Sequence, residues 1–202
     1  KERLERELEL AREVQQSLLP QVFPEFPGYR FSAYSQPARR VGGDFYDIFR
    51  LDETHFGVVI ADVSDKGMPA ALYMALTRSL LLAEARRELS PRAVLASVNR
   101  LLLEVSVRKW GHEPVVAVDG DEAWALLDAP DAPSLVLLDW MMPGMDGVEI
   151  CRRLRASDEP RLIYVIMVTT NAQDADIIEG LEAGADDYVT KPFDPQELRA
   201  RV

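Results

Sequence analysis

Two apolar segments that each run into a polar residue constrain the fold of this chain most strongly. Residues 134–139 read Ser-Leu-Val-Leu-Leu-Asp, and residues 162–169 read Leu-Ile-Tyr-Val-Ile-Met-Val-Thr. Short segments this apolar are typical of strands that are covered on both faces, as in a parallel sheet between two layers of helices. The sequence therefore predicts an α/β fold for the second half of the chain.

The pattern on either side of these segments alternates between strands and helices from residue 111 onward. The predicted strands are residues 114–118, 134–139, 162–169 and 187–189, and the predicted helices are residues 120–127, 146–154, 175–183 and a last one from residue 195. Such alternation is typical of a doubly wound sheet, in which ligands bind at the carboxyl ends of the strands.

The first half of the chain begins with a predicted helix over residues 1–19. Leu4, Leu8, Ala11, Gln15 and Leu18 follow alternating steps of four and three, which is the spacing of a coiled-coil seam, and Pro20 ends the helix. Two interpretations stay open, a dimerising stalk and a helix packed on its own domain, because helices this short rarely stand alone.

Four further elements are predicted before residue 111. They are a strand over residues 29–34, a buried strand over residues 56–63, a helix from residue 69 to about residue 88, and a helix from residue 91 to about residue 110.

Charge and composition limit the function classes. Residues 1–104 hold 14 basic and 15 acidic residues, whereas residues 105–202 hold 9 and 19, so nearly all of the net charge of −11 lies in the second half. The acidic balance argues against broad contact with nucleic-acid phosphates. The difference in net charge between the two halves suggests two units of different origin. One cysteine excludes a disulfide framework, and the chain shows neither a transmembrane segment nor a secretory signal, so we expect a cytoplasmic protein.

Three polar residues fall at the ends of predicted strands in the second half. They are Asp139, Thr169 and Lys191. A carboxylate, a hydroxyl and an ammonium group that meet at one edge of a sheet could hold a phosphoryl group, with the carboxylate as nucleophile and metal ligand.

The segments around these residues resemble bacterial response-regulator receiver domains. The resemblance rests on Leu-Leu-Asp-Trp-Met-Met-Pro-Gly-Met-Asp-Gly at residues 137–147, Ile-Met-Val-Thr-Thr at residues 166–170 and Gly-Ala-Asp-Asp-Tyr-Val-Thr-Lys-Pro-Phe at residues 184–193. It implies a flavodoxin-like parallel sheet, with Asp139 accepting phosphate from a histidine kinase and Lys191 pairing with the phosphoryl group. It also implies that Thr169 and Tyr188 act as switch residues and that the Met141 carbonyl is a ligand of Mg²⁺.

The chain departs from the receiver pattern at its start. Receivers begin with an apolar strand that ends in an acidic pair, and no such strand directly precedes the helix that ends near Trp110. We expect residues 56–63 to replace it, pairing in parallel with residues 114–118 and 134–138, so that Asp62 and Asp65 stand in for the acidic pair. The competing interpretation keeps residues 56–63 in an antiparallel sheet with residues 29–34.

Asp44 and Asp62 form a second candidate site, because carboxylates on neighbouring strands can bridge Mg²⁺ or Mn²⁺. Turn chemistry also explains acids beside glycine. The segments at residues 11–20, 42–47 and 61–72 resemble the PPM-type serine phosphatases of the sporulation and stress-response class. That resemblance implies metal ligands at Asp44, Asp62 and the Val63 carbonyl, and the later part of that family has no match in this chain.

The two resemblances together predict a fusion. We expect an N-terminal helix at residues 1–19, a partial phosphatase-like segment at residues 20–104 and a receiver-like domain at residues 105–202, with the junction near residues 100–106. Three hypotheses stay open: a two-component phosphoacceptor, a metal-dependent serine phosphatase, and a chimera that keeps the folds without activity.

Overall fold

The computed structural model describes residues 2–35, 41–63, 67–156, 162–170, 174–191 and 193–202. The chain divides into two compact units, Lys1–Val105 and Ser106–Val202.

The first unit holds a helix, a hairpin and two further helices. In chain order these are α1 (Glu2–Leu18), β1 (Phe45–Arg50), β2 (Phe56–Ala61), α2 (Met68–Ala85) and α3 (Pro91–Lys109), whose last residues lie beyond the unit boundary. Gly67, with a φ of 81°, precedes α2, and Pro69 occupies its first turn, where a missing N–H removes no helical hydrogen bond. Leu81 and Ala85 of α2 pack against Val94 and Val98 of α3.

Strands β1 and β2 form an antiparallel hairpin in which Phe45 lies opposite Ala61 and Arg50 opposite Phe56. Asp52 fixes the turn, because its carboxylate accepts the backbone N–H groups of Thr54 and His55 at 2.7 Å each. These hydrogen bonds lower the pKa of Asp52 to about 2, and the one from Thr54 has the largest effect.

This hairpin corrects the expectation for residues 56–63. Strand β2 pairs antiparallel with β1, so the predicted parallel pairing with residues 114–118 and 134–138 is wrong. The physical reason is local: a five-residue turn joins β1 to β2, and a short turn can join only antiparallel neighbours. The predicted replacement acid Asp65 lies outside the described residues.

The strand predicted over residues 29–34 is also wrong, since this segment forms only an isolated bridge between Phe26 and Tyr29. Gly28, with a φ of 82°, turns the chain there. The aromatic side chains pack on one another instead of alternating across a sheet, with Phe31 lying 6.0 Å from Phe26 and 5.4 Å from Phe56 between ring centroids.

Helix α1 packs within its own unit. Gln15 of the predicted seam is buried, its side-chain amide donates to the Gly42 carbonyl, and its oxygen accepts the Gly42 N–H at 3.2 Å. Helix α1 also contacts α2, whereas Leu10 and Val14 are exposed. This supports packing within the chain, and the dimerising stalk stays a prediction.

The second unit is a parallel sheet with helices between its strands. After the end of α3 come α4 (Gly120–Asp128), β3 (Leu135–Asp139), α5 (Gly147–Ala156), β4 (Tyr164–Thr169), α6 (Asp174–Glu182), β5 (Asp187–Thr190) and α7 (Pro195–Arg201). The described strands lie in the order β3-β4-β5 and are all parallel, which confirms the α/β prediction.

The core of this unit includes Leu138 of β3 and Val165 of β4, together with Ile150 and Cys151 of α5. Burial raises the pKa of the Cys151 thiol to about 11, so this cysteine is a small apolar side chain in the core.

The strand predicted over residues 114–118 is wrong, because the described structure has no strand there. Pro114 has no N–H to donate, and the Val118 N–H donates to the Glu122 carboxylate at 2.7 Å instead of to a neighbouring strand. None of the described helices is both long enough and apolar enough to cross a membrane.

Candidate functional site

The carboxyl ends of β3, β4 and β5 bring Asp139, Thr169 and Lys191 to one edge of the sheet. Parallel register places Asp139 beside Val168 and Thr169 beside Thr190. The backbone N–H of Lys191 donates to the Thr169 carbonyl at 2.6 Å, which holds the lysine next to the end of β4. Because parallel strands all end on the same side, three residues far apart in sequence become neighbours.

Asp139 and Lys191 form the ion pair of this site. The lysine Nζ lies 2.5 Å from Asp139 Oδ2, with 29% of the lysine side chain and 40% of the aspartate side chain exposed. The other carboxylate oxygen, Oδ1, lies 3.4 Å from the Met141 backbone nitrogen. Asp139 is therefore accessible and already sits beside a cation that can neutralise added negative charge.

Thr169 is buried to 3% exposure at the end of β4. Tyr188 lies on β5 opposite Met167 and is half-buried. The two predicted switch residues thus lie on neighbouring strands, and Thr169 lies closer to the strand ends.

The loop that follows Asp139 is fixed by a close backbone approach at Gly147. The Gly147 N–H donates to the Trp140 carbonyl at 3.0 Å, and a Cβ on Gly147 would lie 2.4 Å from the Asp139 carbonyl oxygen. Only glycine fits there, so α5 begins directly against the end of β3.

Among the described residues, no acidic pair of the kind that the resemblance implies accompanies Asp139. Within the described parts of the chain, no group of three or more His, Cys, Asp or Glu side chains is placed to hold a metal ion. The two ligands that the resemblance implies are the Asp139 carboxylate, which lies at this edge, and the carbonyl of Met141, whose backbone nitrogen lies 3.4 Å from Asp139 Oδ1. A hard cation such as Mg²⁺ accepts so small a protein donor set only when water or phosphate oxygens complete its shell.

The open end of the β1–β2 hairpin carries the second candidate site. Asp44 and Asp62 flank the Phe45–Ala61 pair, and a hydrogen bond between their side chains, some burial and their mutual repulsion raise the pKa of Asp44. Gly43 permits a close approach, since a Cβ there would lie 2.3 Å from the Val63 carbonyl oxygen. The structure therefore places Asp44, Asp62 and the Val63 backbone at the same end of the hairpin.

Two contacts near this hairpin were not anticipated from the sequence. Arg78 of α2 forms an ion pair with Asp47 of β1, which is almost fully buried, and Gln15 holds the Gly42 backbone two residues before Asp44. Two sequence features could have indicated the ion pair. They are the acidic residue Asp47 within a strand pattern and the basic residue Arg78 within the apolar α2 segment.

Comparison with known proteins shows the family. Residues 96–202 match the response regulator receiver domain, and this match covers just over half of the chain, so the chain belongs to the response regulator receiver family. Residues 52–109 match stage II sporulation protein E. Both predicted resemblances are confirmed, although the second match begins after Asp44.

Several transcriptional regulators are similar to the receiver part. The phosphate regulon transcriptional regulatory protein PhoB of Escherichia coli is 47% identical over 92 residues, which are 46% of this chain and 40% of PhoB. The transcriptional regulatory protein AfsQ1 of Streptomyces coelicolor is 42% identical over 103 residues, which are 51% of this chain and 44% of AfsQ1. The chain thus spans less than half the length of these relatives.

Solved receiver domains are similar to the same part of the chain. The receiver domain of Francisella response regulator 1452 is 33% identical, with a TM-score of 0.46, over 50% of this chain and 81% of that one. The receiver domain of the Pseudomonas aeruginosa sensor kinase PA1611, solved with a magnesium ion in its active-site cleft, is 31% identical, with a TM-score of 0.47, over 52% and 84%.

Proposed function

We propose that the second unit is a phosphoacceptor that takes a phosphoryl group from a histidine kinase onto Asp139. The observation that carries this proposal is the Asp139–Lys191 ion pair at the carboxyl edge of the sheet, with Thr169 at the end of the neighbouring strand. The match of residues 96–202 to receiver domains supports the same assignment.

The proposed chemistry is in-line transfer to a carboxylate. An Asp139 oxygen attacks the phosphorus of phosphohistidine, an O–P bond forms, the N–P bond breaks, and the imidazole nitrogen keeps the electron pair. Lys191, already 2.5 Å from Oδ2, offsets the charge of the phosphoryl oxygens, and the Thr169 hydroxyl donates to one of them. Movement of Thr169 toward that oxygen would make room beside Tyr188, which is how the two residues would read the phosphorylated state.

Mg²⁺ is the cofactor that fits this donor set. The Asp139 carboxylate and the Met141 carbonyl would hold it, and, when bound, it would neutralise charge that develops on the phosphoryl oxygens. Because the described residues provide no group of three or more His, Cys, Asp or Glu side chains that could hold the ion, we expect Mg²⁺ to bind weakly until a phosphoryl group supplies further oxygens.

The first prediction concerns Asp139→Asn. This change removes the nucleophilic oxygen charge, so labelling by acetyl phosphate in the presence of Mg²⁺ should fall to background, as measured by intact-protein mass. Lys191→Ala should slow labelling by about 10²-fold, because it removes a preorganised charge.

The matched control is Asp131→Asn, which changes the same type of exposed carboxylate ahead of β3 at the amino end of the strand. It should be labelled like the unmodified chain. Undiminished labelling of Asp139→Asn would contradict the proposal.

A second candidate function, metal-dependent serine phosphatase, is favoured by one specific observation. The Asp44 and Asp62 side chains share a hydrogen bond at the exposed end of the hairpin, which means that they are close enough to share a cation as well. Mn²⁺ or Mg²⁺ would bind to the two carboxylates and the Val63 carbonyl. When bound, the metal would lower the pKa of water, and hydrolysis of a serine phosphate would form one P–O bond to the water oxygen and break the P–O bond to the serine oxygen, which leaves as the alcohol after taking up a proton.

The second prediction follows from the raised pKa of Asp44. The pKa of Asp44 is raised above its ordinary value of 3.8, and a divalent cation must displace the proton that Asp44 shares with Asp62. The affinity for Mn²⁺ should therefore rise as the pH increases through this raised pKa and become constant above it, as measured by calorimetry between about pH 4 and 7. The hydrogen bond between the two carboxyl groups is present below that pKa and is lost as the pH rises.

Asp62→Asn should remove this pH dependence together with most of the affinity. Glu53→Gln, which alters an exposed acid at the other end of the same hairpin, is the control and should change neither. Mn²⁺ binding that is the same in Asp62→Asn as in the unmodified chain would refute this site, and turnover of a generic phosphate ester with Mn²⁺ tests the phosphatase function separately.

A further inference from the structure

Strand β3 lies at an edge of the described sheet, with β4 on its other side. Successive peptide groups of a strand point in opposite directions. The Tyr164 N–H donates to the Ser134 carbonyl and the Trp140 N–H donates to the Val168 carbonyl, so residues 134, 136, 138 and 140 face β4. The backbone groups of Leu135, Leu137 and Asp139 therefore face outward.

These outward groups lack partners within the described residues. Neither Leu135 nor Leu137 takes part in a hydrogen bond of the loops, turns or side chains described, and both residues are half-buried. Residues 112–118, the extended segment that precedes α4, pair with no strand. Half-buried N–H and C=O groups without partners are unfavourable, so this edge favours the addition of another strand.

The edge also lacks the features that normally keep strands apart. Natural sheets protect their edges with lysine, proline or a bulge, whereas β3 has four consecutive apolar residues before Asp139. The carbonyl of Asp139 is covered by Gly147, which leaves the N–H groups of Leu135, Leu137 and Asp139 and the carbonyls of Leu135 and Leu137 available.

We propose that a second copy of this chain adds its β3 to this edge in antiparallel orientation, with the two Leu137 residues opposite each other. In this register the two Leu137 residues exchange both of their N–H···O=C bonds. The Asp139 N–H of each copy then donates to the Leu135 carbonyl of the other. Four hydrogen bonds therefore join the two copies symmetrically, as a two-fold interface requires, and the Leu135 N–H of each copy, which lies opposite the covered Asp139 carbonyl, makes none.

The charges near the edge are compatible with this pairing. Asp139 is the one charged residue of β3, and Lys191 neutralises it. The two Asp139 residues would lie four residue positions apart along the strands, about 14 Å, which exceeds the Debye length of about 8 Å at physiological ionic strength. Each second unit nevertheless carries 9 basic and 19 acidic residues over 106–202, so the two copies repel at long range and salt should strengthen the dimer.

The test is the mass of the full chain in solution over a range of concentrations, at low and high salt. We expect a monomer–dimer equilibrium that tightens as NaCl is raised. Leu137→Pro removes an outward N–H without removing a β3–β4 hydrogen bond, so it should weaken the dimer about tenfold or more through the two bonds lost. Leu137→Val keeps the N–H and should dimerise like the unmodified chain.

Amide exchange on the unmodified chain tests the pairing without a substitution. The amides of Leu137 and Asp139 should exchange more slowly as the protein concentration rises, whereas those of residues facing β4 should not change. This measurement decides the matter if Leu137→Pro does not fold.

Three results would overturn the proposal. They are a monomer at all concentrations, exchange at Leu137 and Asp139 that does not depend on concentration, and a dimer that folded Leu137→Pro retains but that removal of residues 1–19 abolishes. Association that weakens as salt is raised would also overturn it, because two acidic units that meet at this edge repel each other less, not more, when salt screens their charges.

Discussion

The buried ion pair between Asp47 and Arg78 shows how much one residue of the hairpin depends on one residue of α2. The Asp47 side chain is 5% exposed and that of Arg78 is 18% exposed. One Asp47 oxygen accepts the Ile48 N–H at 2.8 Å, and the other accepts a guanidinium N–H of Arg78. Nε of Arg78 is buried without a partner among the described residues, so the pair leaves one donor unsatisfied.

Arg78→Leu should destabilise the first unit by about 3–5 kcal/mol, because it leaves the Asp47 charge buried and unpaired. Chemical denaturation followed by amide exchange in β1 measures this change. The double variant Asp47→Leu with Arg78→Leu should recover much of the loss, since an apolar pair leaves no isolated charge.

Arg87→Leu is the control for this prediction. Its ion pair with Glu84 spans 3.5 Å and its side chain is 78% exposed, so the expected change is within about 0.5 kcal/mol. If Arg78→Leu lowers the free energy of unfolding by no more than Arg87→Leu does, the Asp47 charge is solvated in the native state.

At the scale of elements, the start of α5 against the end of β3 is a restrictive contact of the proposed phosphoacceptor site. A Cβ on Gly147 would meet the Asp139 backbone carbonyl, and backbone cannot move aside as a flexible side chain does. The position of α5 and that of Asp139 are therefore linked.

Gly147→Ala should destabilise the second unit by about 1–3 kcal/mol and slow the labelling of Asp139, because α5 must move away from β3. Thermal unfolding and acetyl phosphate labelling measure the two effects. Gly111→Ala has a positive φ of 96° but no atoms within 4 Å, so it should lower stability without affecting labelling. If the Gly147→Ala protein is destabilised but labelled normally, the position of α5 does not control the reactivity of Asp139.

The elements that the sequence predicted well are those specified by local signals. Helices α2 to α7 follow from caps, prolines and apolar spacing, as at Asp119, whose side chain accepts the Glu122 N–H at the start of α4. Strands β3 and β4 follow from their apolar runs. The strand ends then predicted that Asp139, Thr169 and Lys191 would meet.

Strand partners were predicted poorly because pairing is not a local property. The segment Phe-Gly-Val-Val-Ile-Ala of β2 is apolar enough for an interior strand, yet Val58 and Ile60 are 56% and 85% exposed in the hairpin. Nothing within six residues distinguishes an interior strand from a hairpin strand with one uncovered face. The buried partners of Gln15 and Asp47 lie 27 and 31 residues away, beyond the range of any spacing rule.

At the scale of the whole molecule, the chain joins two units with different charge and different aromatic content. The first unit contains the cluster of phenylalanine and tyrosine rings around Phe31 and Phe56. The second contains Trp110, Trp124 and Trp140, and Trp140 directly follows Asp139, with its ring beside Gly180 of α6.

This division gives the second unit an optical signal of its own. Tryptophan emission comes from the receiver unit alone, whereas the tyrosines are divided between the two units, with Tyr164 and Tyr188 in the second. Unfolding of the receiver unit can therefore be recorded within the intact chain, without a label and without cutting the chain. Because Trp140 adjoins Asp139, the same emission should follow events at the proposed phosphoacceptor.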